Sequence, residues 1–201
     1  MRVFRCDGYY QEAVRMHGLL CYGGIMNNRF KLYHVNIKYI RALHNIDDNV
    51  PSVSPQVRKH LRPFLGIIVL INNSKFCIPL TSNSIQKKKL ATMHENITFR
   101  KIYDKSGKLL AALNLNNMIP IQDEYLSEIN LKIRPTDSQE LCHWKKLCIK
   151  ELDWCQKHQK EIERLANELY NKYTSDEHFN KRKICLNFPA LEKECRKNKK
   201  Y

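Results

Sequence analysis

The 201-residue sequence predicts an α+β protein: a strongly twisted antiparallel sheet, a small barrel or half-barrel, elaborated by helices and ending in a long C-terminal helical region. Two observations carry this. Short apolar or alternating runs, each bounded by Asn, Asp, Gly or Ser, succeed one another to about residue 120, the signature of antiparallel strands. From Thr136 the apolar period then changes from two to three or four. A single domain over residues 26–201 follows, mainly β to 135 and mainly α from 136. Residues 1–25, rich in Cys, Tyr and Gly and without sustained periodicity, read as an N-terminal leader or extension outside the core.

Residues 28–35 alternate as a first strand, with Phe30, Leu32 and His34 on one face. Asn36 suits the N-cap of a short helix over 37–43, since its side chain can accept from the first free N–H groups. Asp47-Asp48-Asn49-Val50-Pro51 ends that helix and starts a loop through Pro55. Residues 64–71 form an unbroken apolar run, expected as a strand buried on both faces, and Asn72-Asn73-Ser74 turns it into a hairpin partner over 75–80. A basic loop, 81–96, leads to a second pair, 98–103 and 109–115, joined at Asp104-Lys105-Ser106-Gly107. Residues 116–120 continue as a short strand or turn, and the strands are expected in meander order. Thr136 with Gln139 makes a capping-box start for one long or slightly broken amphipathic helix, in which Leu141, Trp144, Cys148, Leu152, Cys155, Ile162, Leu165, Leu169 and Tyr173 share a face. A last helix after Pro189 turns Leu191 and Cys195 inward.

Charge narrows the function. Lys and Arg number 35 against 20 Asp and Glu, a formal net charge of +15. Residues 26–135 hold 17 of the cations against 7 acids, whereas residues 136–201 hold 15 against 11. Two-thirds of the surplus therefore sits on the β region and predicts an anionic partner there, nucleic acid above all. No run reaches the ~18 apolar residues that span a bilayer, and no membrane partner is expected. The eight cysteines show no Cys-x-x-Cys pair. Cys148 and Cys155 share a helix face from which Cys142 points away, so reduced, mostly buried thiols in a cytoplasmic protein are expected, with no metal and no cofactor.

Two basic constellations could carry chemistry. Thr81 and Ser82 put adjacent hydroxyls at a strand end, followed by Lys87, Lys88 and Lys89. Hydroxyls and ammonium groups together suit a phosphodiester, bonding its non-bridging oxygens and offsetting transition-state charge, although a solvated turn has the same composition. Arg58, Lys59, His60 and Arg62 precede the apolar strand, and a guanidinium there suits bidentate phosphate contact, as it also suits an exposed loop. Tyr39 could stack a base, donate to a phosphate or complete the core. The absence of a Gly-rich phosphate loop, a Gly-x-Ser-x-Gly elbow and a His-Glu-x-x-His spacing leaves RNA cleavage through its own 2′-OH as the nuclease chemistry these residues suit.

Seven segments in register resemble the ToxN/AbiQ family of type III toxin–antitoxin endoribonucleases. They are Phe30-Lys31-Leu32-Tyr33, Lys38-Tyr39-Ile40, Asp47-Asp48-Asn49-Val50-Pro51, Arg62-Pro63-Phe64-Leu65-Gly66-Ile67, Pro79-Leu80-Thr81-Ser82, Leu113-Asn114-Leu115-Asn116-Asn117-Met118-Ile119-Pro120, and Asn187-Phe188 with Leu191-Glu192. The resemblance covers about residues 26–196, and Met26 falls where such proteins begin. It implies a Kid/MazF-like twisted sheet and metal-independent, sequence-specific RNA cleavage that leaves a 2′,3′-cyclic phosphate and a 5′-OH. It also implies a small repeat RNA pseudoknot as antitoxin, processed by the toxin and held in a closed protein–RNA assembly, with cellular and phage RNA as substrates in abortive infection.

Carried over by position, the catalytic set is Ser82, Thr81, Tyr39, Arg62 and Lys87. The RNA-binding set is Arg58, Lys59, His60, Lys87, Lys88, Lys89, Asn116 and Asn117. Two positions depart from the family pattern. Ser84 stands where a lysine is common, which gives Lys87 or Lys88 the task of supplying that charge, and Arg58 stands where a tyrosine is found. The competing expectation is a non-catalytic RNA-binding barrel module, which would share the basic surface and cleave nothing. An interaction domain built on the long helix would bind RNA only weakly.

Overall fold

The computed structural model describes residues 29–51, 65–81, 90–197 and 201. The chain runs β1 (Tyr33–Val35), α1 (Ile37–His44), β2 (Leu65–Ile71), β3 (Ser74–Thr81), β4 (Phe99–Tyr103), β5 (Leu109–Asn114), a 3-10 turn (Leu115–Asn117), β6 (Ile119–Pro120) and a second 3-10 turn (Asp123–Tyr125). There follow β7 (Leu126–Glu128), α2 (Gln139–Lys157), α3 (Gln159–Ser175) and α4 (Phe188–Cys195). The expected leader, residues 1–25, lies outside the described residues.

Among the described residues, seven strands form one antiparallel sheet in the order β4-β5-β3-β2-β1-β7, with β6 also on β3; β4 and β7 are its edges, and the sheet they form does not close. The α+β class and the twisted half-barrel agree with this. The meander order does not. The β4–β5 hairpin docks by its second strand, Leu80 opposite Leu113 and Thr81 opposite Ala112, which leaves β4 at the edge. One long edge of β3 is thereby shared, β6 on Phe76 and Cys77 and β5 on Leu80 and Thr81. Residues 115–118 make the step between them, so the segment expected as a short strand or turn is one followed by the other.

The β2–β3 hairpin turns on Asn72 and Asn73, both with positive φ (48° and 65°), as a two-residue hairpin whose twist matches the strands requires. β2 is not buried on both faces as expected: Leu70 is 59% exposed. Phe30 and Leu32 are buried as the alternation predicts, but regular pairing starts only at Tyr33, and His34 is half-buried. Asn36 caps α1, its side chain accepting from the Lys38 N–H at 2.9 Å.

Ser138, not Thr136, caps α2, accepting from the Leu141 N–H at 3.2 Å; a turn over 134–137, tied by the Asp137 carboxylate to the Arg134 N–H, moves the start two residues on. The long helix breaks at His158. Its backbone leaves the helical region there (φ −106°, ψ 17°) and its N–H is shared between the Trp154 and Cys155 carbonyls, each at 3.2 Å; its ring also donates from Nδ1 to the Trp154 carbonyl at 2.8 Å and stacks on the indole, centroids 3.9 Å apart. Cys148 and Cys155 are buried together and Cys142 only half so, as the helical spacing predicts. Across the sheet, Phe76 meets Tyr170 of α3 and Phe188 of α4 edge to face, and Asn187 caps α4, from which Leu191 and Cys195 point inward.

Candidate functional site

Alternation along the β3–β5–β4 part of the sheet gives its two faces different jobs. Leu113, Ile102 and Ala111 enter the main core, and Arg100 reaches Glu161 of α3 at 3.2 Å on that side. The opposite face carries Thr81, Ala112, Asn114, Phe99 and Lys101, which the register places together. There Leu90 packs on Phe99 and Ala112 in a small separate cluster. Lys101, only 8% exposed, stretches across to donate from Nζ to the Ala91 carbonyl at 3.1 Å. The carboxylate of Glu95 caps the backbone N–H of Lys101, an edge-strand donor, at 2.5 Å.

Thr81 closes β3 on this face, half-buried. Its Oγ1 accepts a hydrogen bond of 2.5 Å from Asn114 Nδ2, one strand over and two residues along from its Ala112 partner. That diagonal is within reach of an amide side chain. Thr81 and Ala91 are therefore both anchored to the same sheet face, by Asn114 and Lys101, one on each side of residues 82–89. The sequence shows Thr81 but not this partner. Asn114 lies 33 residues away in an Asn-rich stretch, and only the strand order, with β5 rather than β4 against β3, brings it there.

The hairpin register decides a second juxtaposition. Gly66 pairs with Pro79, so the start of β2 and the end of β3 lie side by side. In sequence, Arg58, Lys59, His60 and Arg62 precede the start of β2, and Ser82, Lys87, Lys88 and Lys89 follow the end of β3. All eight of these residues lie outside the described residues.

Three other expected site residues are described. Tyr39 corrects the expectation of a nucleotide contact. It is fully buried, its hydroxyl donates to the Pro120 carbonyl at 2.7 Å, and its ring stacks on Tyr125 (4.4 Å) with Tyr201 against its edge (5.3 Å). Burial, then the neighbouring Cys195 and tyrosines, pushes its phenol far above the usual range, so it stays a neutral donor to the core. Neither a base nor a phosphate can reach it there. Asn116 spends its amide on Ile184 O (2.8 Å) and Asn117 Oδ1 (3.0 Å), while its backbone N–H meets Thr98 O and its carbonyl takes the Leu186 N–H. It ties the sheet to the C-terminal segment instead of presenting donors for RNA, and Asn117 beside it is half-buried.

Among the described residues, no group of three His, Cys, Asp or Glu side chains gathers as a metal site, and no helix is long and apolar enough to cross a membrane.

Comparison with known proteins agrees with this architecture. The family described as "Toxin ToxN, type III toxin-antitoxin system" matches residues 31–196. The chain is 24% identical over 174 residues to the Endoribonuclease ToxN of Bacillus thuringiensis subsp. kurstaki, covering 84% of each chain. It is 27% identical over 148 residues to the Endoribonuclease ToxN of Pectobacterium atrosepticum, covering 70% of this chain and 80% of the relative. Among solved structures, one of a type III toxin selectively inhibited by a non-coding RNA pseudoknot superposes with a TM-score of 0.69 at 23% identity, over 87% of this chain and all of the other. AbiQ, a lactococcal anti-phage endoribonuclease of a type III system, superposes with a TM-score of 0.66 at 20% identity, over 83% and 96%.

Proposed function

The chain belongs to the ToxN family of type III toxin–antitoxin systems, and from that membership we infer that it is the endoribonuclease toxin of such a system, held in check by a repeat RNA pseudoknot. The relatives named as endoribonucleases cover most of its length. The observation that carries the reading to particular atoms is the placement of Thr81: a hydroxyl at the end of β3, on the sheet face away from the main core, near the start of β2.

The reaction this arrangement suits is transesterification. The RNA 2′-oxygen attacks the adjacent phosphorus, the bond to the 5′-oxygen breaks, the 2′-OH proton passes to a base and the departing 5′-oxygen takes one up. The products are a 2′,3′-cyclic phosphate and a 5′-OH. Thr81 and Ser82 donate to the non-bridging oxygens, and Arg62 and Lys87 offset the charge that builds on the phosphorane. Arg58, Lys59, His60, Lys88 and Lys89 hold the flanking phosphates. The 2′-OH supplies the nucleophile, so the protein contributes position and charge. The toxin cuts its antitoxin precursor into the repeat it then retains in a closed assembly. Freed in the cytoplasm, it cuts cellular and phage RNA.

Mapping RNA ends after expression tests the chemistry. New 5′-OH and 2′,3′-cyclic phosphate ends are expected, made by the purified protein in excess chelator, while Ser82→Ala relieves growth arrest and remains folded. Undiminished toxicity of Ser82→Ala, or tight RNA binding without new ends, would replace the reading with a binding module. Binding should weaken steeply with salt, since phosphate contacts release counterions.

A further inference from the structure

We propose that Asn114 is a positioning residue for cleavage, because its amide fixes the direction in which the Thr81 hydroxyl donates. The inference rests on the role just given to Thr81. A threonine hydroxyl has one proton and two lone pairs. Asn114 Nδ2 gives its N–H to Thr81 Oγ1 at 2.5 Å, so one lone pair faces β5 and the hydroxyl proton must point elsewhere. A phosphodiester oxygen only accepts, so a hydroxyl serves it only while its proton is aimed outward. Were the pair reversed, with Thr81 donating to Asn114, the hydroxyl would offer the phosphate a lone pair and repel it.

The geometry is imposed by the sheet. Thr81 pairs with Ala112 and Asn114 lies two residues beyond on the same face, held by Phe99 opposite it on β4. The Asn114 amide is also the one polar side chain that the described residues bond to Thr81 Oγ1. A donor set in advance needs no reorganisation when charge develops in the transition state. Its contribution is accordingly expected mainly in kcat.

The test replaces the amide by a carboxyl of the same shape. An ionised carboxylate takes the Thr81 proton for itself, whereas a protonated one can donate as the amide does. The probe is a labelled oligoribonucleotide spanning a cut first mapped in total bacterial RNA, cleaved in chelator by the purified full chain. Asn114→Asp is expected to cleave at least tenfold more slowly than wild type at pH 7.5, mainly through kcat. Its rate relative to wild type should recover as pH falls through the carboxyl range toward 4.5. Asn114→Ala is expected to be slow by the same factor at every pH. A ratio of Asn114→Asp to wild type that does not change with pH overturns the proposal. The double variant gives an independent reading that tolerates poor behaviour of the carboxyl variant: Asn114→Ala should cost nothing further in Thr81→Ala, and multiplying losses would overturn the proposal. Wild-type cleavage by Thr81→Ala alone would instead overturn the role assigned to Thr81.

Discussion

Gly66 on β2 lies diagonally against Cys77 on β3, so close that a Cβ at Gly66 would stand 2.5 Å from Cys77 Sγ and 2.5 Å from the Ile78 carbonyl oxygen. One contact is with backbone and cannot rotate away. Gly66→Ala should therefore force the central β2–β3 pair apart at the end where the basic segments attach. A loss of about 1–3 kcal/mol is expected from overpacking of this kind, read as a fall in thermal midpoint with loss of toxicity. Wild-type melting would show that the strands separate freely there.

Tyr39→Phe separates a core role from a nucleotide-binding one. Removing the hydroxyl leaves the Pro120 carbonyl without its 2.7 Å donor. The expected cost is about 1–3 kcal/mol of stability, with cleavage of RNA by the folded variant unchanged. Lost cleavage with unaltered melting would return Tyr39 to the RNA.

The pair Lys145–Asp137, 2.7 Å apart with both side chains 8% exposed, ties the 129–137 segment to α2. Lys145 also donates to the Lys132 carbonyl at 2.8 Å. The hydrogen bond from Lys145, then that from the Arg134 N–H, holds the Asp137 carboxyl below its usual range. A carboxyl depressed in the folded state stabilises above its unfolded value of about 3.9 and loses that contribution as pH falls through the folded one. Wild type should thus melt above Asp137→Asn at pH 5–7, and the two should converge as pH drops below about 4. A gap that persists into acid would mean that the ion pair is not its source.

Asn73 occupies a left-handed conformation, φ 65°, at the hairpin turn. Glycine adopts this without a Cβ penalty and a β-branched residue does not. Asn73→Gly should melt at or above the wild-type temperature, and Asn73→Val should lose about 1–2 kcal/mol, neither altering the cleavage products. Equal melting of both would exclude turn strain as a determinant of the hairpin.

Local signals carried most of the fold. The Asn36 cap, the Asn72-Asn73 hairpin, the period change after residue 136 and the inward face of α4 each depend on residues a few positions apart, and each formed. The break at His158 shows the limit, because the backbone leaves the helical region at a residue through which the apolar spacing runs on. The same division holds at the site. Thr81 stands out in the sequence as a hydroxyl beside lysines, since composition alone identifies groups that suit a phosphate. Tyr39, by contrast, has an identical local signature whether it faces RNA or Tyr125, and burial alone settles it.

By itself, the sequence determined an α+β chain with two-thirds of its positive surplus in the strand-rich residues 26–135 and hydroxyls at the end of one strand, because turn chemistry, periodicity and charge are local properties. Only the tertiary structure decided that β5 lies against β3 and that Asn114 therefore holds Thr81. It also decided that the start of β2 and the end of β3 lie side by side. Strand order follows from how whole hairpins bury their faces against the helices. No short stretch of residues encodes that balance.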